Sequence, residues 1–267
     1  MIRRDAPAIG GKPATWVLIS QIEHAHLAGR LAEHWGAAPF EPLVPKAELL
    51  WAIHHHDDGW RDWDQSPDIE PKRGAPRAFT EMEIDDSVSI WARSIAVAAE
   101  AGPLEGYVVA GHFRALARRG AAWRKADPAW PRAQAFIDRY ERQMLVWLEV
   151  WQAEDPRTNT KAVADLALSQ LQFFDSLSLW FCCAAATDPD TVPTPKGPEL
   201  TLSPLEPGRF CLNPWPLDVA RMNLEVAALV VPVASFHRGE ALTAPLQPAK
   251  LHFQLVATVS SVGQAKA

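Results

Sequence analysis

Positive charge is in short supply in this chain. The 26 Lys and Arg are outnumbered by 32 Asp and Glu, for a net charge of −6, which argues against the broad basic footprint of a nucleic-acid or anionic-membrane partner. Cysteine is scarce too: Cys182 and Cys183 are adjacent and Cys211 stands alone. That spacing offers neither a disulfide framework nor a CxxC metal pair, so the three read as reduced, buried thiols. No apolar run approaches the roughly 20 residues of a membrane-spanning helix, and Met1 to Asp5 run into Gly, Pro and Thr instead of an apolar leader. The expectation is a soluble, cytoplasmic protein. Phosphate-binding glycine motifs are missing as well, since Gly10-Gly11-Lys12 lacks the flanking glycine of a P-loop, and no GxSxG supports a serine nucleophile.

What is present is a large apolar complement, 48% of 267 residues, enough for a substantial core. Twelve Trp against two Tyr make that core rich in aromatics. Seven of the nine His lie between residues 24 and 112.

Apolar residues recur at helical spacing over 20–186, which predicts a helical domain. Met1 to Asp5 and Trp16 to Ile19 are short apolar segments suited to a hairpin, giving an N-terminal β segment over 1–19. Residues 187–198 carry four Pro and two Asp and read as a linker loop. Beyond it, 199–267 reads as a small β unit, with strands expected over Glu199 to Ser203, Arg209 to Leu212, Asn223 to Val231 and Lys250 to Val259. Small strand groups are marginal alone, so these are expected to pair with the N-terminal segment or to pack on the helices.

Four helices matter for chemistry. Ser20-Gln21-Ile22-Glu23 fits a capping box, so the first helix should run from Gln21 to Trp35 with His24, Leu27, Ala28, Leu31 and Trp35 on one face. Pro45 can open a second, whose apolar row continues into His56 and Asp57 and stops at Gly59 in a left-handed conformation. A third, Leu104 to Arg119, places His112 among Val108, Val109, Ala115 and Leu116. A fourth, Thr160 to Ala185, carries Asp175 on the row Ala164, Leu168, Leu171, Leu179 and Cys182.

A carboxylate on an apolar stripe needs a cation, a hydrogen-bonding cradle or a raised pKa. Asp57 and Asp175 sit on such stripes with His24 and His56, and no Lys or Arg shares them. One divalent transition metal, Mn, Fe, Co, Ni or Zn, answers all four needs. Asp175 could instead cap a helix or bond Trp and Ser side chains. For His112, metal ligand, substrate contact and core residue all stay open.

The string Leu49 to Trp60, ending His56-Asp57-Asp58-Gly59, resembles the signature of HD-domain metal phosphohydrolases, with His24 matching their first His, His56-Asp57 the doublet and Asp175 the closing Asp. The resemblance implies a mainly α fold, an HD-like helical bundle, here with a small C-terminal β unit. It implies hydrolysis of a phosphorylated small molecule by metal-activated water. Gln21 to Ala25, His56 to Trp60, Gly111-His112-Phe113, Leu171 to Asp175 and Asn213 to Pro216 are similar to a bacterial family catalogued as domain of unknown function 3891. Dinuclear members of the HD superfamily carry two further His between doublet and closing Asp; here only His112 stands there, which favours a single ion.

In that scheme Asp58 is the expected proton relay, and Gln21 and Gln172, three residues before His24 and Asp175, orient ligands. Glu23 is the weaker relay candidate, being engaged in the capping box. An anionic substrate would be held by Lys72, Arg73, Arg77 or Arg114, with Trp60 walling the cleft; each has an ordinary reading as surface charge or core packing. The β tail would shape the pocket or make a homodimer contact. Two other functions stay open: an iron oxygenase of the same superfamily using His112, and a non-catalytic binding or regulatory module that a metal holds together.

Overall fold

In this computed structural model the described residues are 1–6, 14–66, 68–124, 126–183, 188–234 and 246–258. The expected turn over 7–13, the end of the fourth helix at Ala185 and strand residue Val259 lie outside them.

Among the described residues there are seven α-helices: α1 (Gln21–Glu33), α2 (Lys46–His55), α3 (Arg61–Gln65), α4 (Ile84–Ala101), α5 (Pro103–Arg124), α6 (Trp130–Glu154) and α7 (Lys161–Cys183). The first, second, third and fourth expected helices are α1, α2, α5 and α7. α1 stops at Glu33, two residues short of Trp35, which instead bridges to Leu217. Ser20 caps α1 by accepting the Glu23 N–H at 3.0 Å. The Glu23 carboxylate does not complete the box; it accepts from the backbone N–H of Ala227 at 3.1 Å and so ties α1 to the sheet.

The strands are β1 (Ile2–Ala6), β2 (Thr15–Ile19), β3 (Ile69–Glu70), β4 (Ala75–Pro76), β5 (Asp190–Val192), β6 (Leu200–Glu206), β7 (Arg209–Asn213), β8 (Arg221–Pro232) and β9 (Gln247–Ala257). β3 and β4 form a two-stranded pair, and the other seven make one sheet in the order β1-β2-β8-β9-β7-β6-β5. All its pairings are antiparallel except β7 with β9. The expected pairing of the tail with the N-terminal segment occurs between β2 and β8, with Leu18 opposite Leu229.

The mainly α, HD-like bundle expected from the sequence is therefore overturned. With 51% helix and 23% strand built around a curled seven-stranded mixed sheet, the fold is α/β. The physical reason is one of extent: what read as a small β unit appended to a bundle is one seven-stranded layer that takes in the N-terminal strands, the tail and part of the linker, and its dry face belongs to the main core. Even the Pro-rich stretch expected as a linker contributes an edge strand, β5, paired with β6; an edge tolerates nearby Pro because half of its backbone groups need no partner there.

β8 shows why the sheet has one wet and one dry face. Met222, Leu224, Val226 and Ala228 are buried, while Arg221, Asn223, Glu225 and Ala227 are exposed. The dry residues join the main core with Leu27, Ala28 and Leu31 of α1. At the other end of the core, Phe181 of α7 packs against Phe210 of β7 and Phe253 of β9, with ring centroids 5.3 and 5.6 Å away. α1, α2, α5 and α7 thus form a layer whose chemistry-bearing residues lie among the helices.

Candidate metal centre

His24, His56, Asp57, His112 and Asp175 are all buried, and their side chains converge from α1, the end of α2, α5 and α7. A buried carboxylate needs compensation, and here each one faces imidazoles. His24 Nε2 lies 2.8 Å from Asp57 Oδ2 and 3.8 Å from Asp175 Oδ1. His56 Nε2 lies 3.6 Å from Asp57 Oδ2 and 3.5 Å from Asp175 Oδ1. Ligand atoms of His24, His56 and Asp175 all fall within 4.8 Å of one another. Four ligands with bonds of about 2.1 Å to one ion stand roughly 3 to 3.5 Å apart, so the spacing suits a single ion.

The hydrogen bonds on the far side of each ring give this spacing its meaning. His56 Nδ1 donates to the Ile53 carbonyl at 2.8 Å; the neutral ring then has a bare lone pair at Nε2, and that atom has no hydrogen-bond partner. The Ser178 hydroxyl donates to the Asp175 carbonyl at 2.9 Å, so its oxygen takes the Nδ1 proton of His24 at 2.8 Å. With their Nδ1 protons placed there, both rings turn Nε2 toward two carboxylates, His24 Nε2 bonding Asp57 Oδ2 at 2.8 Å and His56 Nε2 left without a partner. Acceptors gathered without a donor require a proton or a cation among them. An imidazole whose other nitrogen is fixed on a backbone carbonyl or hydroxyl is also the usual arrangement of a metal-bound His.

The electrostatics agree. Burial opposes a charge on His56, yet Asp57 and Asp175 outweigh it and hold its pKa at about 9. Burial would raise both carboxyls, but His56 and His24 hold Asp57 below the usual carboxylate range, and the His112, His56 and His24 rings do the same for Asp175. His112 behaves differently: burial dominates and lowers it to about 4, so it is neutral at physiological pH. Its Nδ1 has no partner, and its ring stands edge-on to His56 with centroids 5.4 Å apart.

The backbone after α2 aims the doublet. His56 is still in a right-handed helical conformation, Asp57 opens to φ −108° and ψ 15°, and a single 3-10 turn follows over Asp58–Trp60. Gly59 is not in the left-handed conformation expected of it. It is glycine because of close approach: a Cβ there would lie 2.3 Å from the Ile90 carbonyl oxygen and 2.5 Å from the Ser94 nitrogen of α4. Its N–H donates to Ser94 Oγ at 3.0 Å.

The remaining expected residues are placed elsewhere. Asp58 is committed to His55 Nδ1 at 2.9 Å and to Arg61 at 3.4 Å. Gln21 is buried, its backbone N–H donating to Asp64 Oδ2 at 2.6 Å and its Oε1 unpartnered; neither it nor Gln172 hydrogen-bonds the cluster. Arg77 is buried but paired with Asp68 at 3.2 Å. Arg114 is held by Glu141 at 2.9 Å. Lys72 and Arg73 are exposed beside the β3–β4 turn, Arg73 reaching Glu81 at 3.3 Å. Trp60 packs with Met82 and Ile90 in a satellite cluster. An apolar cleft of about 350 Å³ between α4, α5 and α6 is walled by Trp91 and Trp130 and lined by none of the five cluster residues. Phe113 touches both sides, stacked on Trp91 and edge-on to His112.

Ser178 is the contributor that sequence reasoning missed. Its signal was present: it stands three residues after Asp175, on the same buried stripe of α7. The Ile53 carbonyl, three residues before His56, is legible only once the helix end is known.

Comparison with known proteins gives one result. The model of a family described as proteins of unknown function, DUF3891, matches residues 9–233, a span that includes all five cluster residues. No curated protein and no solved structure matches.

Proposed function

The chain belongs to the DUF3891 family, and we propose that within it this protein is a mononuclear metal-dependent hydrolase of a phosphorylated small molecule. The observation that carries the reading is the convergence of two His Nε2 atoms and two carboxylates, His24 Nε2 bonded to Asp57 and His56 Nε2 unpartnered between Asp57 and Asp175. The order of those residues along the chain, His, His-Asp, Asp, also resembles that of HD-domain phosphohydrolases.

His24, His56, Asp57 and Asp175 would hold one divalent ion. Such an ion supplies a Lewis acid and a water of lowered pKa at neutral pH. Ser178 and the Ile53 carbonyl fix the two rings so that Nε2 faces inward. His112, neutral and with Nδ1 free, is placed to bond a substrate oxygen. Asp58, next to the doublet in sequence and paired with the part-exposed His55, would relay a proton to solvent. The basic side chains suggested by the sequence are engaged or exposed elsewhere, so the substrate's negative charge falls to the ion, and neutral His112 adds a hydrogen bond.

Burial favours a second reading. His24, His56 and Asp57 are each less than 5% exposed, and closed metal sites are more often structural than catalytic. In that reading the ion holds α1, α2 and α7 together without turnover.

Metal analysis of protein purified without an affinity tag, then a phosphatase screen with Mn, Co or Ni, tests both. About one ion per chain is expected, falling to near none in Asp175→Asn; failure to bind any ion after remetallation overturns the metal reading. Phosphatase activity lost in Asp175→Asn while the fold persists supports the hydrolase. An ion whose loss melts the protein, with no turnover in the loaded form, supports the structural role instead.

A further inference from the structure

We propose that the outer face of α6 is the contact surface of a homodimer, formed with the same face of a second copy in antiparallel orientation. This inference is independent of the metal centre. α6 buries Phe136, Ile137, Tyr140, Met144, Leu148 and Trp151 against the core, but its other side holds three of the large exposed hydrophobic residues. Leu145, Val146 and Val150 are 57%, 51% and 49% exposed. Exposed apolar side chains scattered singly need no explanation, whereas three within two turns of one helix form a patch.

The charges around the patch name its occupant. Arg142 and Glu149, both exposed, flank it on the same stripe, and neither makes an ion pair among the described residues, whereas neighbouring Glu141 is taken by Arg114 and Arg118. A two-fold interface must be self-complementary: each residue meets the one equally far from the axis on the other copy. Arg142 precedes Leu145 by three residues and Glu149 follows Val146 by three. An axis passing between Leu145 and Val146 therefore sets Leu145 against Val146 and Arg142 against Glu149, twice. Further along, Asp138 falls opposite Ala153, so no like charges meet. By the same register Val150 falls opposite Glu141, which Arg114 and Arg118 neutralise, so a second copy satisfies the Leu145–Val146 centre and the charges of Arg142 and Glu149.

One helix face is at the small end of stable interfaces, so the dimer should be reversible and dissociate on dilution. Sedimentation velocity over a concentration series tests it, with the metal content held constant. The unsubstituted protein should move from monomer to dimer as concentration rises. Arg142→Glu and Glu149→Arg, each placing like charges across the axis, should weaken association by at least about tenfold, and the double swap should restore it. All these positions are exposed, and circular dichroism should show an unchanged fold. A protein that stays monomeric at every concentration overturns the proposal and leaves the face to another kind of partner. A dimer indifferent to the single swaps, or one the double swap fails to restore, overturns it equally.

Discussion

Two groups of histidines stand side by side, an outer one on α2 and an inner one drawn from α1, the end of α2 and α5, and they differ in how their nitrogen atoms are satisfied. In the outer group the pairing is one to one: His54 Nε2 meets Glu33 at 3.1 Å, His55 Nδ1 meets Asp58 at 2.9 Å, and all four side chains reach solvent. In the inner group two carboxylates are shared by the His24 and His56 rings, His112 stands edge-on to His56, and His56 Nε2 and His112 Nδ1 have no hydrogen-bond partner. Residue types are alike in both. What separates a candidate ligand set from a row of surface ion pairs is convergence with atoms left over.

The difference can be broken most forcefully at Asp57. In metal-free protein, Asp57→Ala removes the partner of His24 and one of the two carboxylates facing His56, which leaves buried imidazoles under-compensated. Removing one member of a buried pair costs about 3–5 kcal/mol. Urea denaturation after chelation should show that loss. A cost below about 1 kcal/mol, the scale of exposed pairs, would mean that the inner group is no different from the outer one.

Much of the inner group was legible because helix spacing is a local property. His24 four residues before Ala28, and Asp175 four after Leu171, need only a periodicity of 3.6 to be assigned to buried faces, and both are buried. The fold was not legible by the same means. α4 went unassigned although Asp85 and Asp86 mark its first turn and Gly102 follows its end, and α6 although Pro131 marks its start. α6 hides because Leu145, Val146 and Val150 lie on its outer face and blur the apolar stripe. The sheet hides for a different reason. Each strand but β5, which lies in the stretch read as a linker, was visible as a short apolar segment, but the order β1-β2-β8-β9-β7-β6-β5 depends on pairings between residues more than two hundred positions apart, which no local pattern encodes. The role of Gly59 was misassigned on the same ground: its neighbour is α4, an element the pattern had not revealed.

Gly59 sharpens the comparison because it anchors the turn that sends Asp57 inward and leaves Asp58 with the outer group. Gly59→Ala would drive a methyl group into the Ile90 carbonyl and the Ser94 backbone, and backbone cannot yield as a side chain does. A cost of about 1–3 kcal/mol is expected, as for overpacked cores, together with weaker metal retention as the doublet shifts. Gly120→Ala is the control: a Cβ there meets nothing within 4 Å, so the helix should gain about 0.5–1 kcal/mol. Equal effects at the two glycines would show that the close approach to α4 does not position the doublet.

The smallest effect belongs to the outer group. Burial of the His54 ring lowers its pKa and the contact with Glu33 only partly offsets this, so the pair has little charge to work with at neutral pH. The ring's position has another cause: it lies over Gly29 of α1, where a Cβ would come within 2.2 Å of His54 Nδ1. Packing on a bare stretch of helix, rather than attraction to Glu33, seats the side chain. Glu33→Ala should therefore cost no more than about 1 kcal/mol and leave metal content unchanged. A cost approaching that of Asp57→Ala would show that the outer pairs carry load as well, and that burial with leftover nitrogen atoms is not what distinguishes the inner site.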